Sequence, residues 1–182
     1  GNTIIKKNNQ YLDRVELNSD NSIYTKIISP NFNLKYNLSS EELGKKISKL
    51  IKFSAPEENK KTLFVWPEGT FTGFNFSQIK QYKNMFKGAF SDNHLILFGV
   101  NTVVDRKFDN QTFNSLIIVN SNLDILFKYD KIKLVPFGEF LPFENTLSGL
   151  GLKKITEGYG SFTKGEGTNI FSLEKLALLP LI

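Results

Sequence analysis

The sequence contains no cysteine and only one histidine, His94. A disulfide framework and a structural zinc site each need several such residues, so both are excluded. A serine–histidine catalytic site would depend on His94 alone. That residue opens an apolar run, and we predict a structural role for it. No apolar run approaches the roughly 18 residues of a membrane-spanning helix, and the first residues lack the pattern of a secretory signal peptide.

Arginine is also scarce, since Arg14 and Arg106 are the only two in the chain. The net charge of +5 therefore comes almost wholly from lysine. The sequence shows no basic stripe and no recognised nucleic-acid-binding module, so we predict no nucleic-acid partner. Two explanations remain for the positive charge: a solvated, lysine-rich surface, or attraction to an anionic membrane surface.

The length of 182 residues fits one domain with a core of its own, and 17 phenylalanines predict an interior rich in aromatic packing. Residues 1–21 are polar and are predicted to be a linker or N-terminal arm, whereas 22–182 would form the domain. The domain's pattern alternates strand and helix and then gives several strands, which predicts an α/β or α+β fold with a largely buried sheet.

The predicted elements rest on periodicity and on terminal signals. Ser39 and Glu42 have the spacing of a capping box at the start of an amphipathic helix. Residues 129–168 are rich in glycine and proline, which favours irregular binding loops. The other predicted elements are a second helix over 77–90, strands at 23–28, 62–66 and 94–104, a hairpin over 115–127 and a final hairpin over 169–182.

Charged residues occur at three places where apolar structure is expected. Glu68 follows the strand TLFVW, Lys131 follows the strand at 123–127, and Glu139 lies in a Pro-Phe-Gly turn. Sites in open α/β sheets gather at the carboxyl ends of strands, so Glu68 and Lys131 would form a buried acid–amine pair if these ends converge. Such a pair suits attack of a nucleophile on an acyl carbon. A structural salt bridge and a proline-stiffened surface loop are the alternatives that these residues leave open.

Four segments together carry a family resemblance: WPEG (66–69), NSLIIV (114–119), YDKIKLVPFGEFLPFE (129–144) and LALLPLI (176–182). The set resembles the nitrilase, or carbon–nitrogen hydrolase, superfamily, whose signature is Glu, then Lys, then Cys. More narrowly, the DK-x-x-LVPFGE-x-x-P form of the lysine segment resembles the apolipoprotein N-acyltransferases. The resemblance implies an α-β-β-α sandwich, truncated here at its C-terminal side, and it implies no cofactor and no metal.

By this resemblance, Glu68 matches the general base, Lys131 the lysine that stabilises the intermediate, and Glu139 the additional glutamate of the acyltransferase segment. Asp130 and Lys133 are left as loop or supporting residues. The family's cysteine nucleophile follows a strand like LALLPLI directly, and Ile182 is the last residue here. We therefore expect a fragment of a longer enzyme, inert in acyl transfer by itself.

The implied reaction moves an acyl chain from a phospholipid, through a cysteine thioester, to the N-terminal amine of an apolipoprotein. The implied partners are the phospholipid donor, the apolipoprotein acceptor and a membrane surface, with the domain a monomer on the periplasmic face of a bacterial inner membrane. Apolar residues of two loops are predicted to face lipid, with ordinary loop packing as the alternative. They are Phe71, Phe74, Phe140, Leu141, Phe143 and Leu147.

Two other functions compete with this one. A soluble nitrilase-type amidase would act on small amides and not on phospholipid esters. A non-catalytic module, kept for binding lipid or a partner, would carry no nucleophile.

Overall fold

The computed structural model describes residues 23–30, 38–105, 111–140, 142, 161–167, 171–173 and 176–178. A five-stranded sheet with the order β1-β2-β3-β4-β5 forms its centre. The strands are β1 (Tyr24–Ile27), β2 (Thr62–Val65), β3 (His94–Val104), β4 (Gln111–Val119) and β5 (Ile125–Asp130), and a separate two-stranded sheet joins β6 (Phe171–Leu173) to β7 (Leu176–Leu178). The helices are α1 (Ser40–Ser54), α2 (Phe76–Lys80) and α3 (Lys83–Ala89). The predicted α/β class is confirmed.

The directions of the strands decide where their ends meet. β1, β2 and β3 pair in parallel, β4 is antiparallel to β3, and β5 is antiparallel to β4. β5 therefore runs parallel to β2, and the carboxyl ends of four strands lie at one edge of the sheet. We call this edge the carboxyl edge.

The core lies mainly between the sheet and the helices. Alternate residues of β3, such as Ile96 and Phe98, are fully buried on this face. They join Leu43, Ile47 and other helix residues in one aromatic-rich cluster. A smaller cluster around Leu63 and Ile118 occupies the opposite face. The described residues thus form one helix layer against one sheet, which is half of the predicted sandwich.

The first helix forms as predicted. The Ser39 hydroxyl accepts a hydrogen bond from the Glu42 N–H at 3.2 Å, and the Glu42 carboxylate accepts one from the Ser39 N–H at 2.8 Å. Both bonds of the capping box are present, and they satisfy two N–H groups that helix geometry leaves without partners. At the other end, Ala55 closes the helix in the left-handed conformation, with φ of 40°.

The second predicted helix, over 77–90, is divided into α2 and α3. The break comes at Tyr82, whose hydroxyl donates a hydrogen bond to the carbonyl of Ser40 and whose ring lies against Gly44 of α1. A Cβ added to Gly44 would come within 3.1 Å of that ring. This tertiary contact overrides the helical periodicity, so a single helix is the wrong prediction here.

Three predicted strands, β1, β2 and β3, are confirmed close to their predicted limits. β3 begins and ends at the predicted residues. The β4–β5 hairpin is also confirmed, but β4 begins at Gln111 and β5 extends to Asp130. Asn120 closes the turn, because its side-chain oxygen accepts hydrogen bonds from the N–H groups of Asn122 and Asp124.

The final hairpin is present as β6 and β7 within the residues described there. Residues 131–140, 142 and 161–167 contain no helix and no extended strand, as predicted for this segment. The predicted arm at 1–21 lies outside the described residues. None of the helices described here is both long enough and apolar enough to cross a bilayer.

Candidate functional site

The best-defined polar cluster of the carboxyl edge is an ion pair between Lys131 and Glu139. Lys131 directly follows β5, and its Nζ lies 3.1 Å from Oε1 of Glu139. The two side chains are 19% and 16% exposed, so water only partly screens the interaction. A charge pair this sheltered is stable when its remaining hydrogen-bonding positions are filled.

Glu139 meets that condition through two further donors. The side-chain amide of Asn114 donates to Oε1 at 2.9 Å, and the backbone N–H of Val135 donates to Oε2 at 2.8 Å. Burial by itself raises the pKa of Glu139. The bonds from Val135, Lys131 and Asn114, together with the positive charge of Lys131, outweigh burial, so the pKa lies below the ordinary glutamate value. Glu139 is therefore held as a carboxylate.

The same cluster is fixed to the sheet through the backbone of Lys131. Its N–H donates to the carbonyl of Asn114 at 2.8 Å, continuing the β4–β5 ladder by one residue. Asn114 thus holds Lys131 through its backbone and Glu139 through its side chain. The sequence analysis quoted Asn114 within NSLIIV but assigned it no role. Its only signal was a polar residue two positions before the apolar run that begins at Leu116.

The loop after Lys131 folds back on itself around Glu139. The Glu139 N–H donates to the carbonyl of Val135 at 2.8 Å, and the Phe137 N–H donates to the carbonyl of Phe140 at 2.7 Å. Phe137 has a φ of 60°, a left-handed conformation that is rare for a bulky side chain. The Pro-Phe-Gly turn is thus a compact unit closed on the Glu139 carboxylate, which explains why charge and apolar residues alternate there.

Glu68 lies at the same edge but is not part of this cluster. It follows β2 after Trp66 and Pro67, and its side chain is exposed. No hydrogen bond or ion pair joins it to another of the described residues. β3 and β4 stand between β2 and β5, a distance of roughly 14 Å at the usual strand spacing. The predicted buried pair of Glu68 with Lys131 is therefore not formed, and the acid that pairs with Lys131 is Glu139.

The loop carrying Glu68 is nevertheless ordered by its own contacts. The Thr70 hydroxyl donates to the carbonyl of Pro67 at 2.6 Å, and the Thr72 hydroxyl donates to that of Gly69 at 2.9 Å. Gly69 adopts a φ of 70°, which glycine accommodates without strain. The segment PEGT thus presents the Glu68 carboxylate to solvent at the carboxyl edge.

Two of the predicted lipid-facing residues lie in the core. Phe71 is 2% and Phe74 is 7% exposed. The Phe71 ring packs 5.1 Å from that of Phe98 and 6.0 Å from that of Trp66. Both side chains therefore lack the accessible surface that contact with an acyl chain would need, and the alternative of ordinary packing accounts for them.

The remaining predicted lipid-facing residues divide into two groups. Phe140 is half-buried and lines a surface pocket with Ile132, Lys133, Leu134, Phe162 and Lys164. Leu141, Phe143 and Leu147 lie outside the described residues.

Two residues left without a role beside the site are placed by the structure. Asp130 faces away from Lys131: its Oδ1 accepts a hydrogen bond from Ser115 Oγ at 2.6 Å, and its Oδ2 lies 3.1 Å from the Lys128 Nζ. It therefore supports the strand end from the helix side of the sheet. Lys133 is exposed at the pocket.

His94 occupies the structural position predicted for it. It is 1% exposed, and its Nδ1 accepts from the Ser91 N–H while Nε2 contacts the Glu57 carbonyl, both at 2.9 Å. The two ring nitrogens thus connect the loop before β3, through Ser91, to the loop between α1 and β2, through Glu57. Within the part of the chain that the structure describes, no three side chains of the metal-binding types come together.

The sequence is similar to two curated relatives over most of its length. An apolipoprotein N-acyltransferase of Brucella suis biovar 1 is 33% identical over 135 residues, which is 70% of this chain and 25% of that protein. One from Allorhizobium ampelinum is 31% identical over 123 residues, or 66% of this chain and 23% of that protein. The chain spans about a quarter of the length of the curated relatives it matches.

Solved structures show a weaker similarity. A glutamine-dependent NAD+ synthetase from Acinetobacter baumannii aligns with a TM-score of 0.47 and 15% identity, over 75% of this chain and 24% of that one. A carbon-nitrogen hydrolase from Helicobacter pylori aligns with a TM-score of 0.40 and 16% identity, over 62% and 40%. No protein-family model matches the chain. By its sequence, the chain is a homologue of the apolipoprotein N-acyltransferases and matches about a quarter of their length.

Proposed function

We propose that this chain carries the acid and lysine side of the active site of an apolipoprotein N-acyltransferase. The observation that carries the proposal is the sheltered Lys131–Glu139 pair at 3.1 Å, at the edge where β2 also delivers Glu68. The homology to curated acyltransferases supports it. The nucleophile in this proposal is a cysteine contributed by sequence beyond this chain.

The proposed reaction has two halves. In the first, the Glu68 carboxylate takes the proton of the cysteine thiol, and the thiolate attacks the carbonyl carbon of a phospholipid ester. The C–O bond breaks, and the proton from Glu68 goes to the departing lysophospholipid oxygen. In the second half, the α-amine of the apolipoprotein's N-terminal cysteine attacks the thioester, which gives an amide and restores the thiol.

Lys131 is assigned to the oxyanion that forms in each half. Its ammonium group is partly sheltered from water, which strengthens its attraction to a developing negative charge. Glu139 is assigned to positioning Lys131 and to keeping its charge balanced between turnovers. The separation of roughly 14 Å between β2 and β5 leaves room for a thiol and an ester carbonyl between Glu68 and Lys131.

The test begins with the gene. Its sequence across both ends of this chain is expected to place a cysteine codon directly after Ile182. The encoded protein, in detergent, is then incubated with phospholipid carrying a radioactive acyl chain. We expect a labelled protein whose label is released by neutral hydroxylamine, as for a thioester. Labelling is expected to fall at least about 100-fold in Lys131→Ala and in Glu68→Gln.

Lys128→Ala is the matched control. It removes a lysine of β5 that pairs with Asp130, on the side of the sheet away from the Lys131 side chain. Its labelling is expected to stay within about threefold of the parent protein. A stop codon after Ile182, or full labelling in Lys131→Ala, would contradict the proposal. Labelling from a small amide in place of the lipid would favour the amidase.

A further inference from the structure

A surface pocket of about 460 Å³ is lined by residues that follow Lys131 and Glu139 in the chain. Its volume lies within the range of known small-molecule sites. Its lining, within the described part of the chain, consists of four apolar side chains and two lysines. The apolar ones are Ile132, Leu134, Phe140 and Phe162, and the lysines are Lys133 and Lys164.

Several residues that line the pocket are covalent or hydrogen-bonded neighbours of Lys131 and Glu139. Residues 132–134 directly follow Lys131, and Phe140 directly follows Glu139. On the opposite wall, the Phe162 N–H donates to the carbonyl of Glu139 at 2.8 Å. From the same segment, the Gly165 N–H donates a hydrogen bond to the carbonyl of Lys131 at 3.0 Å. A molecule bound in this pocket would therefore lie next to the backbone of Lys131 and Glu139.

The described residues of the pocket carry charge of one sign only, which is positive. Lys133 and Lys164 are both exposed, and neither forms an ion pair with an acid among the described residues. Among the residues that the structure describes, no acidic side chain lines the pocket. Apolar walls beneath two cationic groups complement a molecule that has hydrocarbon at one end and negative charge at the other.

The surface next to the pocket is apolar as well. Val135 is 54% and Phe137 is 43% exposed, and both belong to the turn closed by Glu139. Phe137 keeps its left-handed conformation although the residue stays partly exposed. Strain of this kind persists where the surrounding contacts fix it, which is common at binding sites. An exposed valine and phenylalanine beside two lysines suit the surface of an anionic bilayer.

We propose that this pocket selects an anionic glycerophospholipid as the acyl donor. The glycerol and the first acyl carbons lie on Phe140, Phe162 and their apolar neighbours, and the negatively charged headgroup lies between Lys133 and Lys164. This inference rests on the proposed function and adds to it a charge preference for the donor and two residues that impose it.

The test measures binding and involves no transfer step. The 182-residue chain, labelled with ¹⁵N, is titrated with dihexanoyl phosphatidylglycerol and with dihexanoyl phosphatidylcholine, both below their micelle concentrations. We expect shifts of the backbone amide signals of residues 132–134 and 162–164. We expect phosphatidylglycerol to bind roughly tenfold more tightly than phosphatidylcholine, since each lysine near an anionic lipid contributes modestly.

The double variant Lys133→Gln/Lys164→Gln is expected to bind the two lipids equally. Its matched control is Lys52→Gln/Lys87→Gln, which removes the same charge from exposed positions on the helices. The control is expected to keep the tenfold ratio. Inorganic phosphate alone is expected to bind at least tenfold more weakly than phosphatidylglycerol, because it has no contact with the apolar wall.

Three results would overturn the proposal: equal binding of the two lipids by the parent chain, an unchanged ratio in the double variant, or an equal loss of the ratio in the control. Binding of phosphate as tight as that of the lipid would also overturn it. Each outcome is independent of hydroxylamine-sensitive labelling, so a failure of the pocket and a failure of the acyltransferase assignment are distinguishable.

Discussion

Gly165 crosses the end of β5 so closely that a Cβ on it would lie 2.1 Å from the carbonyl oxygen of Asp130. Real side chains do not approach a backbone oxygen to this distance. Glycine is therefore required here, and its absence of a side chain lets the 161–167 segment reach the backbone of Lys131. One glycine thus connects two loops of the candidate site.

We predict that Gly165→Ala loosens this connection. The added methyl group collides with backbone, so the 161–167 segment must move away and lose its bond to the carbonyl of Lys131. The expected loss in the free energy of unfolding is about 1–3 kcal/mol. Amide hydrogen exchange is expected to accelerate at Gly165 and Thr163. Gly88→Ala in α3 is the matched control, because a Cβ there meets nothing within 4 Å, and it should be neutral or stabilising by up to about 1 kcal/mol.

Glu139→Gln tests the carboxylate that closes the Pro-Phe-Gly turn. At neutral pH the change removes the ion pair with Lys131 and weakens the bond from the Val135 N–H, so we expect a loss of about 1–3 kcal/mol in chemical denaturation. Glu57→Gln, in an exposed pair with Lys60, is the matched control and should change stability by less than about 1 kcal/mol.

The pH dependence of the same variant has a definite sign. The folded state holds the pKa of Glu139 below its ordinary value of about 4.3, so the unfolded chain takes up a proton first as the pH falls. The stabilisation by Glu139 is complete above pH 4.3 and is lost as the pH falls through the lower, folded pKa. Denaturation curves of the parent and of Glu139→Gln should therefore converge in acid. A difference that persists unchanged at pH 2 would contradict this.

Ala55→Gly is predicted to stabilise the chain. Ala55 ends α1 with φ of 40° and ψ of 63°, a conformation that glycine adopts without steric cost. The expected gain is about 0.5–1 kcal/mol, measured as a higher melting temperature. Ala89→Gly, at the last helical residue of α3, is the comparison. It is expected to change stability in the opposite direction, with a loss of about 0.5–1 kcal/mol.

Ser54→Ala is predicted to leave a buried donor without a partner. The Ser54 hydroxyl is fully buried and accepts a hydrogen bond from Trp66 Nε1 at 3.0 Å. Removal of the hydroxyl should cost about 1–3 kcal/mol in the free energy of unfolding. Ser48→Ala lies on the exposed side of the same helix and should change stability by less than about 0.5 kcal/mol.

Local signals sufficed for much of the fold. The Ser39–Glu42 capping box and the apolar alternation of β3 are properties of short segments, and both elements form where the sequence predicts them. The split between α2 and α3 depends on Tyr82 reaching Ser40 of another helix, 42 residues away. No local pattern encodes a contact of that separation.

The candidate site shows the same limit. That Glu68 and Lys131 each come after a strand follows from the sequence, and the structure places both at one edge of the sheet. Which acid pairs with Lys131 depends on the number of strands between β2 and β5, and this order is fixed by pairing across the whole domain. Asn114, which connects Lys131 to Glu139, has no sequence motif of its own.

Trp66, the sole tryptophan, is 2% exposed and stacks 5.7 Å from Phe98, two positions before Glu68. Its fluorescence therefore comes from one environment that is shielded from water. This environment lies at the start of the loop that carries Glu68, the proposed general base. Trp66 is thus an intrinsic fluorescent probe of this loop. A ligand that alters the loop, or a substitution that admits water beneath it, will shift the emission wavelength without any attached dye.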